Sequence, residues 1–349
     1  MNIGILSAGG DCPGLNAVIR AVVLTVKNRD INNKVFGFLD GFSGLYTSGA
    51  YMTLDKRDVE NIERTGGTIL GTSNKGDFGE VGLLKAPSPQ ALATIEKIKQ
   101  TKEELQLDGL IVTGGDGSLR IAYWIGQQTG INIIGIPKTI DNDLSNTEVT
   151  LGFNTAITTA TEAIGKIHDS ARSHHRAMII ELMGRDAGWI ALESGIAGGA
   201  DCILLPEIPY NFEHLEKYLD EKADSEYKAI IIIVAEGAHP MGEPSQHPNT
   251  GAILTKKIQE NTKLESRLSV LGYIQRGGEP TTFDKILGTR LGEKAASLLL
   301  DGENSQFVSV KNDTLIPLPL SMASSETRFV PRDHDLIKAA KSIGIYFGE

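Results

Sequence analysis

Ile131-Asn132-Ile133-Ile134-Gly135-Ile136-Pro137-Lys138-Thr139-Ile140-Asp141-Asn142-Asp143 decides how the chain is read. Residues 131–136 are apolar apart from one asparagine and one glycine, as a strand buried on both faces of a sheet must be. Pro137 ends that strand, because proline cannot donate to a central ladder. A lysine, a threonine, an asparagine and two aspartates follow at what would be the strand's carboxyl end. In open α/β sheets ligands bind there. Two carboxylates at i and i+2 behind a lysine could hold a metal, accept a proton or grip a polyol. They equally suit an ordinary turn, where Asn and Asp bond their own backbone.

Working outward, short apolar runs recur at 3–6, 35–39, 110–112, 177–182, 201–205, 230–235 and 268–271. Helical patterns alternate with them at 15–27, 89–104, from 119 onward, and at 154–170, 252–260, 283–300 and 336–342. The tail from 306 supplies one further short strand. This alternation predicts an α/β fold of two doubly wound, mainly parallel sheet domains. A chain of 349 residues is long enough for both, and 39 glycines fit many tight strand-to-helix turns.

The formal charge is −10, from 34 basic and 44 acidic residues. That argues against a general nucleic-acid binder but not against an anionic small molecule, since a cleft can gather arginines within an acidic protein. Cys12 and Cys202 are the only cysteines. With no CxxC pair and no disulfide framework they point to a reducing cytoplasm, and Cys12 reads as a small filler residue. The amino terminus lacks the basic and long apolar regions of a signal peptide. No apolar run approaches the roughly 20 residues that span a bilayer.

Chemistry-bearing residues fall repeatedly just after strands: Gly10-Asp11, Asp116, Asp141, Arg185, Glu236 and Arg276. That recurrence predicts one crevice lined by strand carboxyl ends. Gly9-Gly10-Asp11-Cys12-Pro13-Gly14 lies between a strand and a helix, the half-unit that presents backbone N–H groups to phosphate. Neither G-x-G-x-x-G nor a Walker loop is present. Gly114-Gly115-Asp116-Gly117-Ser118 is a second such turn, and Asp116 there offers Mg²⁺ a hard oxygen. The polar loop at 66–76 reads as a ligand loop. No Ser–His–Asp arrangement or H-E-x-x-H is legible.

Taken in order, Gly9–Asn16, Gly115–Ser118, Pro137–Asp143, Met183-Gly184-Arg185 and Gly272-Tyr273-Ile274-Gln275-Arg276-Gly277-Gly278 resemble 6-phosphofructokinase over essentially the whole chain. The Gly-Gly-Asp-Gly turn alone also occurs in NAD and lipid kinases; the five together are specific. The resemblance implies transfer of a phosphoryl group from ATP to the 1-hydroxyl of fructose 6-phosphate, in a cleft between the two domains. Asp141 matches the proton acceptor, Arg185 the arginine that neutralises transition-state charge, and Thr139 a neighbour of the transferring group. Gly10, Asn74, Lys75, Gly115, Asp116, Gly117 and Ser118 match the nucleotide site, with Mg²⁺ on Asp116. Thr139, Ile140, Asp141, Met183, Gly184, Arg185, Glu236, Tyr273, Ile274, Gln275 and Arg276 match the fructose 6-phosphate site. Arg176 and Arg267 match arginines that reach it from a neighbouring subunit, which implies a cytoplasmic homo-oligomer.

The family's domains exchange chain, so the expected boundaries are 1–138 with about 251–305 for the larger, nucleotide-binding domain, and 139–250 with about 306–349 for the smaller, fructose 6-phosphate-binding domain. Departures from the family pattern bear on the donor. Asn74 stands where ATP-dependent bacterial members carry arginine, Tyr273 where a substrate histidine is usual. Arg20 is kept from the family's regulatory arginines, but Leu24 and His168 replace others. Lys138 matches pyrophosphate users, which carry lysine there, whereas Gly117 matches ATP users, because pyrophosphate users carry aspartate. An aspartate would crowd and repel the α-phosphate of ATP, so Gly117 points to ATP. The alternatives are a pyrophosphate-dependent enzyme with the same acceptor and a non-catalytic sugar-phosphate binder.

Overall fold

The computed structural model describes residues 1–73, 78, 87–224, 229–243, 249–324 and 326–349. The first half of the chain alternates β1 (Asn2–Ser7), α1 (Leu15–Arg29), β2 (Lys34–Phe38), α2 (Ser43–Tyr46), β3 (Tyr51–Leu54), α3 (Pro89–Leu105), β4 (Gly109–Gly114), α4 (Asp116–Thr129) and β5 (Asn132–Pro137). The local signals are ordinary ones. Helix α3 starts where the Ser88 side chain accepts from the Ala91 N–H at 3.1 Å, with Pro89 in the first turn. Strand β4 is buried along its whole length, which is why its residues are apolar without alternation.

Next come α5 (Phe153–His174), β6 (Ala177–Leu182), α6 (Trp189–Ala197), β7 (Cys202–Leu204), α7 (Phe212–Ala223), β8 (Ile230–Ala235), α8 (Thr250–Asn261) and β9 (Ser266–Val270). A 3₁₀ turn, Gly272–Arg276, leads to α9 (Thr282–Leu300), β10 (Gln306–Lys311), β11 (Thr314–Pro319) and α10 (Asp335–Ser342). One sheet has the order β11-β10-β5-β4-β1-β2-β3, and the other β7-β8-β6-β9. The four-stranded sheet is parallel throughout. The seven-stranded one is parallel except at its edges, where β3 and β11 pair antiparallel.

The fold class is therefore the expected one, and the chain divides into two compact units. The first comprises Met1–Thr139, Leu144–Asn154 and Arg276–Thr327; the second comprises Ile140–Asp143, Thr155–Gln275 and Arg328–Glu349. These divisions differ from the expected ones in three places, the first being residues 144–154, which go with the first unit. Residues 251–275 go with the second unit, because β9 pairs with β6 from Ala177↔Ser266 onward. Residues 306–327 go with the first, because β10 pairs with β5 at Gln306↔Ile134. Both choices are made by pairings more than 80 residues apart along the chain, as Ala177↔Ser266 illustrates. Strands β3 and β11 and helices α2, α6 and α7 have no counterpart among the patterns read from the sequence.

Within the first unit α1 and α9 pack closely. A Cβ on Gly292 would lie 2.6 Å from the Val18 carbonyl oxygen, and one on Gly288 would lie 2.9 Å from that of Gly14. Glycine there lets the two backbones approach, and the contact fixes the end of the Gly9–Gly14 turn.

Candidate active site

In the first unit, β1, β4 and β5 are neighbours in parallel register, with Ser7 opposite Thr113 and Gly114 opposite Pro137. Their carboxyl ends, and the turns that follow them, therefore lie side by side. The ladder runs on into those turns: the Ala8 N–H donates to the Thr113 carbonyl at 2.9 Å, and the Lys138 N–H to the Gly114 carbonyl at 3.0 Å. Gly9 takes φ +83°, a backbone conformation closed to most side chains. The loop at 66–73 folds onto this turn, with Thr72 Oγ1 donating to the Gly9 carbonyl at 2.6 Å. Asn16 secures the loop by donating to Thr65 Oγ1 at 2.8 Å and accepting from the Ile69 N–H at 2.9 Å.

Helix α4 begins immediately after β4, with Gly115 in the N-cap position and no side chain capping it. Its first N–H groups are thus free to meet an anion. Asp116 sits in the first turn. A Cβ on Gly114 would lie 2.5 Å from Ser118 Cβ, so the turn closes only around glycine. A Cβ on Gly117 would meet nothing nearer than Arg120 Nη2 at 3.6 Å. Gly10, Gly115, Asp116, Gly117 and Ser118 thus lie at one edge of the sheet. Asn74 and Lys75 lie outside the described residues.

Two cations close on Gly10. Lys138 is only 3% exposed, and its ammonium donates to the Gly10 carbonyl. Arg276 donates from Nη1 to the Asp11 carbonyl at 3.2 Å, and its guanidinium lies so near Gly10 that any side chain there would collide with it. Arg276, expected among sugar-phosphate contacts, thus belongs to the glycine-turn edge of the first unit. Cys12 is fully buried, its thiol directed at the Leu151 carbonyl at 3.4 Å. Burial pushes the thiol far above its ordinary range, which fits a filler rather than a redox centre.

The second unit carries the other expected residues. Asp141 is 8% exposed, and Asn142 beside it is buried with φ +52°. At the carboxyl ends of β6 and β8, Glu236 Oε1 accepts from the Arg185 N–H at 2.6 Å and the Gly184 N–H at 3.2 Å. Gly184 at φ +145° and Arg185 at φ +54° form a tight turn that this carboxylate holds. Burial pushes the Glu236 carboxyl up, the two N–H bonds oppose that, and the nearby charge of Asp141 adds to it. The Arg185 side chain is 65% exposed and pairs with Asp186 at 3.7 Å. Ile140 and Gln275 are wholly buried, so neither side chain is open to solvent, whereas Tyr273 and Ile274 are exposed.

Arg176 and Arg267 lie elsewhere. Arg176 precedes β6 and Arg267 is the second residue of β9, so both stand at the amino ends of parallel strands. They share Glu265, at 2.9 Å and 2.5 Å respectively. Strand β6 is six residues long. At about 3.3 Å per residue, that puts them roughly 20 Å from the Gly184–Glu236 end of their own sheet.

Sequence reasoning missed the support behind Asp141. Arg328 Nη1 donates to the Asn142 carbonyl at 3.0 Å, and the Arg328 N–H to the Asp143 carbonyl at 2.7 Å. No motif surrounds Arg328, so no local signal pointed to it. Arg20, which matches one of the family's regulatory arginines by sequence, is paired with Glu63 at 3.2 Å.

With that geometry in view, the phosphofructokinase family description matches residues 2–299. The chain belongs to the phosphofructokinase family. An ATP-dependent 6-phosphofructokinase of Spirochaeta thermophila is 41% identical over 363 residues, covering 99% of this chain and 97% of that one. A pyrophosphate–fructose 6-phosphate 1-phosphotransferase of Amycolatopsis mediterranei is 40% identical over 362 residues, covering 100% of both. Among solved structures, the Pichia pastoris phosphofructokinase in the T-state aligns with TM-score 0.79 at 29% identity over 93% of this chain. This chain spans 35% of that one. The chain is thus similar at nearly equal identity to relatives named for ATP and for pyrophosphate. No helix among the described residues is long and apolar enough to cross a membrane.

Proposed function

We propose that this chain transfers the terminal phosphoryl group of MgATP to the 1-hydroxyl of fructose 6-phosphate, as a glycolytic enzyme of the cytoplasm. The observation that carries the choice of donor is Gly117, the second residue of α4, where an added Cβ would find Arg120 Nη2, at 3.6 Å, as its nearest contact beyond the helix backbone among the described residues. The Gly10 and Gly114–Ser118 turns bind the phosphates through backbone N–H groups and the helix dipole. Lys138 favours the pyrophosphate reading by type, but its bond to the Gly10 carbonyl supports a tie between two loops. The second reading, a pyrophosphate-dependent enzyme, retains that lysine and the Amycolatopsis relative's name in its favour.

Among the described residues no three His, Cys, Asp or Glu side chains cluster as a metal cage. Asp116 alone nevertheless fits Mg²⁺, which usually keeps waters and takes one or two carboxylates together with substrate phosphates. When bound, it supplies charge neutralisation on the phosphate oxygens. Asp141 accepts the proton of the 1-hydroxyl, and its burial keeps water from competing. Arg185 neutralises charge on the transferring group; its exposed side chain in this structure is free to turn onto substrate. Glu236 holds the Gly184–Arg185 turn in place. Arg176 and Arg267, at the far end of their sheet, serve the 6-phosphate of a neighbouring subunit in a homo-oligomer.

The test is Asp141→Asn, which keeps the shape and removes the base. We expect kcat to fall by about 10²–10⁴-fold, the usual contribution of a placed general base. Fructose 6-phosphate binding, measured by calorimetry, stays near wild type. Turnover close to wild type would remove Asp141 from this role.

A further inference from the structure

The turn that carries Asp141 is not held by its own neighbours alone. Asn142 occupies the left-handed region, a conformation that needs support from its surroundings. That support comes from almost two hundred residues away in sequence. The Arg328 guanidinium takes the Asn142 carbonyl at 3.0 Å and the Arg328 backbone takes the Asp143 carbonyl at 2.7 Å. One residue thereby holds the two carbonyls that follow Asp141.

Arg328 is itself clamped. Its guanidinium lies 4.2 Å from the ring centroid of the buried Trp189, and the Trp189 indole N–H donates to the Arg328 carbonyl at 2.8 Å. Trp189 opens α6, and the same junction is bound by Glu207, whose Oε1 accepts from the Gly188 and Val330 N–H groups, each at 2.9 Å. The chain after Arg328 is thus pinned on both sides, and the guanidinium sits over the indole ring. Glu193 also senses this cation, whose charge partly offsets the effect of burial on its carboxyl.

We propose that Arg328, set by Trp189, is the positioning residue for the catalytic turn: it fixes the carbonyls of Asn142 and Asp143 and so the direction of the Asp141 carboxylate. This rests on the reading of Asp141 as proton acceptor. Misplacing a catalytic group by about 1 Å can lower a rate ~10²-fold. A guanidinium suits the task better than an ammonium, because it bonds in its plane while stacking on an aromatic face.

The experiment compares Arg328→Ala, Arg328→Lys and Asp141→Asn, purified, with kcat taken per folded molecule and KM measured separately for fructose 6-phosphate and MgATP. For Arg328→Ala we expect kcat to fall ~10²-fold with KM for MgATP within about threefold of wild type. Free guanidinium ion at sub-denaturing concentration restores part of that kcat in Arg328→Ala and none in Arg328→Lys, whose ammonium fills the place without stacking. A purely structural role would lower the unfolding temperature and leave kcat per folded molecule, and its response to guanidinium, unchanged; that result overturns the proposal. If Asp141→Asn keeps wild-type turnover, the reading of Asp141 fails instead, whatever Arg328 does.

Discussion

Gly117 and Lys138 lie on neighbouring turns of the first unit and point, by residue type, to different phosphoryl donors. Their surroundings separate them. Lys138 is buried, with its ammonium on the Gly10 carbonyl, so its charge is already engaged by the protein. Gly117 lies in the first turn of α4, where an added carboxylate would stand among the N–H groups proposed to meet the donor's phosphates. We therefore predict that Gly117→Asp lowers kcat/KM for MgATP sharply and raises that for pyrophosphate. Lys138→Gly, by contrast, keeps ATP as donor and loses about 1–3 kcal/mol of stability, as expected when a buried hydrogen bond is removed. Steady-state kinetics with both donors and urea unfolding check these two outcomes. A Lys138→Gly enzyme that switches donor would reverse the assignment.

At the scale of elements, the amino end of α6 depends on a buried carboxylate. Glu207 Oε1 accepts from Gly188 and Val330, while Oε2 is buried with no hydrogen-bond partner among the described residues. Burial lifts this carboxyl above its ordinary value of 4.5, against the pull of its backbone hydrogen bonds. The sign follows from proton counting. Between the unfolded and the raised native pKa the native state holds more protons, so Glu207 makes stability fall as pH rises through that window. Glu207→Gln keeps the Oε1 bonds and removes the titration. Its unfolding temperature should equal or exceed that of wild type at pH 7, with the advantage shrinking as pH falls through the raised native pKa toward the ordinary value of 4.5. Glu207→Ala should instead lose about 1–3 kcal/mol, because two buried N–H groups are left unpaired. Scanning calorimetry across pH distinguishes them; a Glu207→Gln deficit that grows toward high pH contradicts the account.

The same scale shows what could be read from the chain alone. The site turns after β1, β4, β5, β6 and β8 were legible because each joins an apolar run to glycines or charges, a local pattern. Strand β3 was not, since its four residues form an edge with two exposed positions. Helix α6 is almost wholly apolar and short, so it has no polar face to give it a period. Helix α7 is mostly charged, with only Leu215 and Leu219 buried. Arg328 and the unit boundaries depend on pairings between distant segments, and no local spacing encodes those.

For the whole molecule, Arg176 and Arg267 decide the argument. Tied to Glu265 at the amino end of the second unit's sheet, they are separated by the length of β6 from Glu236 and Arg185. A chain that used them for its own 6-phosphate would have to cross that length, whereas a neighbouring copy need not. Arg267→Ala should raise KM for fructose 6-phosphate and leave KM for MgATP unchanged. Mixing that variant with Asp141→Asn, under conditions that exchange subunits, should restore activity, because some sites then combine an intact Asp141 with an intact Arg267. A mixture no more active at sub-saturating fructose 6-phosphate than the two variants apart, while subunit exchange is seen by mass spectrometry, would contradict an inter-subunit role.

All of this meets in the choice of donor. The most direct measurement is the initial rate with saturating fructose 6-phosphate and Mg²⁺, using ATP in one series and pyrophosphate in another. The account predicts turnover with ATP and a kcat/KM at least ~10²-fold lower with pyrophosphate, the discrimination expected of an unfavourable charge and contact at one site. Faster turnover with pyrophosphate would contradict it and return the decision to Lys138.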